Sequence, residues 1–228
     1  MNRDGPSRHG GGRARHAAAY DPPVDARIFV AGTGSYALEV VEYARAAGLA
    51  VDGLVELAEP ARVGTTIHGL PVVAADPALG DAVIATGGDR LARWATLAPG
   101  WRPVTVVHPR AQVSPSAVVG DGCLIGPYAV IGAATVVEDH AVVARGALVG
   151  HHVRIGPGAV VNPGANVGGN ARVGARAQIG MGAIVLNAMT VGEAVVVAAG
   201  AVVVGPVADG QRVQGVPAVR YHRPPVAS

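Results

Sequence analysis

Hydrophobic positions follow two different rhythms, changing near residue 108. On the C-terminal side the rhythm is six. From Val113 to Val203 every sixth residue is Val or Ile, sixteen in succession with no insertion. Glycine often comes next, at 120, 126, 132, 150, 156, 168, 174, 180 and 192, and a small residue, mostly Ala, stands two positions before the aliphatic. Neither the 3.6-residue period of a helix nor the two-residue period of a strand gives this spacing. A solenoid with three flat sides per coil does, at six residues per side. The ninety residues from 113 to 203 then make fifteen sides, or five coils. One β-branched residue per side points to the axis, the small residue also faces inward, and glycine is expected at the corners, where positive φ is cheap.

Before residue 108 the pattern is that of alternating strands and helices. Arg27–Ala31 is a short apolar run suited to a buried strand, and it leads directly into Gly32-Thr-Gly-Ser-Tyr-Ala37. Ala37, Val40, Val41 and Ala44 then recur at helical spacing, Gly48 is placed to end that helix, and 50–56 reads as a second strand. Residues 70–73 and 82–86 predict two more strands, and 91–98 a helix. The first 26 residues show no apolar period and mix Arg3, Arg8, Arg13 and Arg15 with Gly, His and Ala, as expected of a disordered tail. The reading is therefore a tail at 1–26, an α/β Rossmann-like domain at 27–107, and an all-β three-sided solenoid with a C-terminal extension at 108–228.

Composition narrows the chemistry. The chain has Arg but no Lys, which excludes Schiff-base chemistry and a P-loop lysine. Its one Cys, Cys123, falls on an inward position and reads as a buried core thiol; a single cysteine makes no disulfide framework and points to a reducing, cytoplasmic compartment. A net charge of +2, with no basic stripe beyond the tail, argues against a nucleic-acid partner. The longest uncharged apolar run, 194–208, is too short to span a membrane, and the tail lacks the apolar segment of a secretory signal.

The hexad [Val/Ile]-Gly-x-x-Ala-x resembles the hexapeptide-repeat acyltransferases, whose fold is a left-handed parallel β-helix. The front end, 28–37, its junction through His108-Pro-Arg-Ala-Gln-Val113, and Gln214-Gly-Val-Pro-Ala218 at the back narrow the likeness. They resemble the family of sialic acid O-acetyltransferases and UDP-amino-sugar N-acetyltransferases. The resemblance implies a homotrimer, acetyl-coenzyme A as co-substrate between neighbouring β-helices, no metal, and direct acetyl transfer to an amine or hydroxyl of a sugar or sugar nucleotide.

Such a transfer needs a base of near-neutral pKa, and histidine is the natural one. Of eight histidines, His9, His16 and His222 lie towards the ends, His68 and His108 flank turns, and His140, His151 and His152 lie in the repeats. The family's active-site stretch matches 148–156 and implies His151 as the base, with His152 the second candidate. Two positions depart from the family pattern. His152 stands where an acid often follows the histidine, and Ala144 where an Asn often precedes it by seven. Glu138 and Asp139, the nearest preceding acids, are not assigned a role. By the same match Val160, Met181 and Ala199 are candidates to hold coenzyme A, and Gly169 supplies an amide towards the thioester. In the front part Gly32-x-Gly34-x-x-Ala37 opens a helix after a strand, an arrangement that favours phosphate. The resemblance implies Gly34, Ser35, Tyr36, Glu56 and Gly87 as acceptor-binding residues. A γ-carbonic-anhydrase-type zinc site lacks its histidine spacing here. O-acetylation of a sialic-acid-type sugar, and a non-catalytic sugar-nucleotide-binding trimer, are the competing readings.

Overall fold

In the computed structural model of the chain, residues 27–85, 89–97 and 100–221 are described, together with the two-residue strand β1 (Arg15–His16). The rest of the expected tail, and Gly87 among the acceptor candidates, lie outside the described residues. β1 pairs antiparallel with Val118–Val119 on the outside of the solenoid.

The N-terminal part is a small, mostly parallel sheet. Its strands are β2 (Arg27–Ala31), β3 (Ala50–Val55), β4 (Thr66–Ile67), β5 (Leu70–Val73), β6 (Asp81–Ile84) and β7 (Arg102–Pro103), in the order β4-β5-β3-β2-β6-β7. Helix α1 (Ser35–Ala46) joins β2 to β3, so the first β-α-β unit is as the sequence implies. The wider Rossmann-like reading is not supported. Among the described residues only α1 and the short α2 (Arg90–Leu97) accompany this sheet. The link from β5 to β6 is 74–80, too short for a crossover helix.

Helix α1 is sandwiched. Ala37, Val40, Val41 and Ala44 are buried against Ile28, Val30 and Leu54 of the sheet on one side. On the other side they share a cluster with Val106, Leu124 and Val142, outward residues of one face of the solenoid. Amphipathic spacing thus serves two neighbours at once and fixes the sheet against the start of the solenoid.

The solenoid is built from two-residue strands on three faces, with parallel register between residues eighteen apart, such as Val142 with Val160 and Val160 with Gln178. It matches a left-handed β-helix. In each strand the first residue faces out and the second joins a continuous core of Val, Ile and Ala. Strand pairing starts one side before Val113, because Val107 is already in phase and Val106–Val107 pairs with Leu124–Ile125. The parallel pairing ends at Arg212–Gln214, which pairs with Val196–Val197 at a spacing of sixteen instead of eighteen and is itself paired antiparallel by Val219–Arg220.

The corner glycines act differently from expectation. Positive φ falls three residues after the inward aliphatic, often on non-glycine residues: Tyr128, His140, His152 and Asn170 lie near +55 to +60°. The glycines directly after the aliphatic are needed for stacking. A Cβ on Gly126, Gly132 or Gly156 would come within 2.6 to 2.7 Å of the next coil's backbone. Successive coils pass too close there for any side chain.

Candidate active site

Two edges of the prism carry the candidate residues. The first holds Gly150-His151-His152-Val153. Both histidines are exposed, as their distance from the inward Val149 implies. The His152 amide donates to the Ala133 carbonyl in the coil before (2.8 Å), and the His151 carbonyl accepts from the Asn170 amide in the coil after (2.9 Å). The two rings meet edge to face, with Nδ1 atoms 3.1 Å apart. The His151 ring lies over Gly169, one coil on: a Cβ there would stand 2.8 Å from Nε2 and 2.9 Å from Cε1. The structure therefore brings together His151, His152 and Gly169. Among the described residues, the two nearest preceding acids are engaged elsewhere. Glu138 pairs with Arg154, and Asp139 Oδ1 accepts from the Asp121 amide (2.9 Å).

The second edge stacks Arg145, Pro163, Met181 and Ala199, eighteen residues apart, with Gly182 N donating to Pro163 O and Gly200 N to Met181 O. Met181 is 60% exposed. A groove of about 380 Å³ runs between this edge and α1, lined by Tyr36, Glu39, Arg90, Val142, Ala144, Arg145, Val160, Asn162, Pro163 and Met181. It unites Tyr36, expected for the acceptor, with Val160 and Met181, expected for coenzyme A.

Three charged residues of this groove escaped the sequence reading. Glu39 accepts from Arg145 Nη1 (2.9 Å) and from the Tyr43 hydroxyl, tying α1 to the solenoid edge. Arg90, only 1% exposed, donates to the carbonyls of Ile84 (2.6 Å), His140 (3.1 Å) and Gly122 (3.5 Å), which links the sheet, α2 and a solenoid corner. Burial lowers its pKa. The partners are as much as 106 residues apart, so no local motif marks them.

Glu56 and the turn after β2 form a third locus. Glu56 Oε1 accepts from the amides of Leu57, Ala58 and Glu59 at 2.7 to 2.9 Å, and Oε2 accepts from Thr33 Oγ1 at 2.5 Å. Burial pushes its carboxyl up, but the Thr33 hydroxyl and three amides outweigh burial and hold it at about 2. Glu56 thus caps its own turn and holds the loop between Gly32 and Gly34. Gly32 has φ of +133°, so glycine is required there; a Cβ on Gly34 meets nothing within 4 Å. Gly34 precedes α1 as its N-cap, and Ser35 opens the helix exposed.

The remaining candidates are structural. Cys123 is fully buried; burial pushes its thiol up to about 12, and it donates to the Glu138 carbonyl (3.1 Å). His140 is buried with its ring 5.0 Å from Trp94; burial, then the Arg90 charge, lower it to about 4. Among the described residues no three His, Cys, Asp or Glu side chains cluster as metal ligands, and no helix is long and apolar enough to cross a membrane.

Several solved structures are similar to this chain over most of its length. The acetyltransferase domain of PglB from Neisseria gonorrhoeae is 32% identical, with a TM-score of 0.78 over 86% of this chain and 100% of that one. PerB from Caulobacter crescentus, in complex with CoA and GDP-perosamine, is 32% identical, with a TM-score of 0.78 over 86% of this chain and 98% of that one. A histidine-to-asparagine mutant of perosamine N-acetyltransferase from Caulobacter crescentus, with the same two ligands, is also 32% identical, with a TM-score of 0.79 over 87% and 98% of the two chains. No family model matches the chain, and no curated protein does.

Proposed function

The chain belongs to the hexapeptide-repeat β-helix family of sugar and sugar-nucleotide acetyltransferases, and on that basis we propose that it transfers acetyl from acetyl-coenzyme A to the amine of a nucleotide-linked amino sugar, with His151 as general base. The observation that carries the residue assignment is the His151 ring, exposed at a corner and seated on Gly169. His151 takes the amine proton as the nitrogen attacks the thioester carbonyl. The N–C bond forms, the C–S bond breaks, and coenzyme A leaves as its thiol after its sulfur receives the proton held by the His151 imidazolium. Without a carboxylate beside it, His151 is oriented by His152, one ring nitrogen donating and the other accepting. Gly169 leaves room for the ring and offers a backbone amide to the oxyanion. The similar Caulobacter protein is a perosamine N-acetyltransferase, which favours an amine over a hydroxyl acceptor.

The groove at the second edge is the proposed place of the substrates. Tyr36 and Ser35 at the α1 N-terminus face the sugar nucleotide, and Glu56 supports that turn through Thr33. Val160, Met181 and Ala199 give an apolar track for the pantetheine arm. Within one chain this edge and the His151 corner are separated by a whole face of the prism. A homotrimer would set the corner of one copy against the groove of the next. The exposed apolar residues Leu148, Ile184 and Leu186, on that intervening face or at its edge, support such packing. A cytoplasmic location fits a reduced, buried Cys123 and an acetyl-coenzyme A supply. The test is thiol release from acetyl-coenzyme A with GDP-perosamine and related amino-sugar nucleotides as acceptors, comparing the wild type with His151→Ala. Turnover with at least one acceptor, lost in the variant, is expected; equal turnover in both contradicts the assignment.

A further inference from the structure

Thr135 occupies an inward position that other coils give mainly to Ala, and it is fully buried. At ordinary corners the amide of the small inward residue closes the turn directly. Ala159 donates to Gly156 O at 3.1 Å, Ala171 to Gly168 O at 3.3 Å and Ala183 to Gly180 O at 3.0 Å. At the His151–His152 corner a hydroxyl stands between the two ends. Thr135 Oγ1, from the coil before, donates to Gly150 O at 2.6 Å and accepts from Val153 N at 3.1 Å. Gly150 and Val153 are the residues on either side of the two histidines. Val153, bulkier than the usual Ala, fills the inward position of the same corner. The same device recurs where the chain enters the solenoid: Thr105 Oγ1 donates to Gly120 O (2.7 Å) and accepts from Cys123 N (3.2 Å).

We propose that Thr135 is a positioning residue that spreads the His151–His152 corner and so sets where the His151 ring lies over Gly169. The proposal rests on His151 being the base. A hydroxyl buried between two backbone groups satisfies both at fixed distances. With Ala in its place, the amide of 153 closes directly on Gly150 O, as at neighbouring coils, and the histidines ride on a tighter turn. Misplacement of a base by a fraction of an ångström is enough to slow proton transfer while substrate contacts elsewhere are kept.

The experiment compares Thr135→Ala, Thr135→Ser and the double variant Thr135→Ala/Val153→Ala, which restores the regular repeat residues at both positions and keeps the test open if Thr135→Ala alone folds poorly. Each is assayed with acetyl-coenzyme A and the amino-sugar nucleotide that the wild type accepts, in the presence and absence of His151→Ala. The expected result for the hydroxyl-free variants is a kcat lowered about ten- to a hundredfold, with both KM values within about threefold. Thr135→Ser restores kcat, and removal of Thr135 has no further effect once His151 is gone. Wild-type kcat in a folded hydroxyl-free variant, or an equal loss with and without His151, overturns the proposal. Full activity of His151→Ala alone sinks the base assignment instead, and is read separately.

Discussion

Replacing Gly169 with Ala probes the site with a single methyl group. The added Cβ would lie 2.8 Å from His151 Nε2, 2.9 Å from Cε1 and 3.2 Å from Cδ2. Ordinary contact begins near 3.4 Å, so the ring must withdraw by about 0.6 Å (3.4 less 2.8). What it meets is the end of a side chain, not backbone, and Gly169 does not have a left-handed φ. Strain is therefore relieved by moving the imidazole, and the coil stays in place. Displacement of about that size costs a general base roughly tenfold or more in rate. Steady-state thiol release should show kcat down by at least about tenfold, KM for acetyl-coenzyme A little changed, and a thermal midpoint close to the wild type. Wild-type kcat would refute the reasoning, because the ring could not then be working from the place described. A collapse in thermal midpoint would refute it differently, by showing that backbone takes up the strain.

Other perturbations separate packing from chemistry. Gly150→Ala meets backbone, with Gly169 N at 2.7 Å, so it should cost about 2 kcal/mol of stability in chemical unfolding. Ile155→Ala removes a fully buried core residue and should cost about 3 kcal/mol by the same measurement. His140 is lowered to about 4, below its unfolded value near 6.5. The unfolded chain therefore binds that proton first, and stability should fall as pH drops from about 6.5 to about 4. His140→Asn, which tolerates the positive φ of +59°, should show a flatter dependence in that window when unfolding is followed by denaturant at each pH.

The sequence made the solenoid plain because each inward residue is specified on its own, six positions from the last, and the structure adds only Val107 and a shortened final coil. Glycine was misread for a physical reason: a corner can need glycine for its φ or for its neighbour's backbone, and one sequence does not distinguish the two. Four strands of the N-terminal sheet were legible and the two-residue β4 and β7 were not, being too short to show a period; the linker at 74–80 is too short for the helices a Rossmann-like fold would need there. His151 is proposed from its local stretch, whereas the reason for a glycine at 169 beneath it emerges only from the eighteen-residue stacking. Arg90, Glu39 and Arg145 gave no signal of the contacts that join the elements, since those partners lie far off in sequence. Thr135 reads along the chain as one more small inward residue; its hydroxyl matters only because of what lies in the next coil.

The central claim is acetyl transfer that depends on one imidazole. The most direct measurement is mass spectrometry of the acceptor after incubation with acetyl-coenzyme A and either the wild type or His151→Ala. An amino-sugar nucleotide heavier by one N-linked acetyl group is expected with the wild type, and unmodified acceptor with the variant. The same acetylated product formed at the same rate by both proteins would contradict the claim.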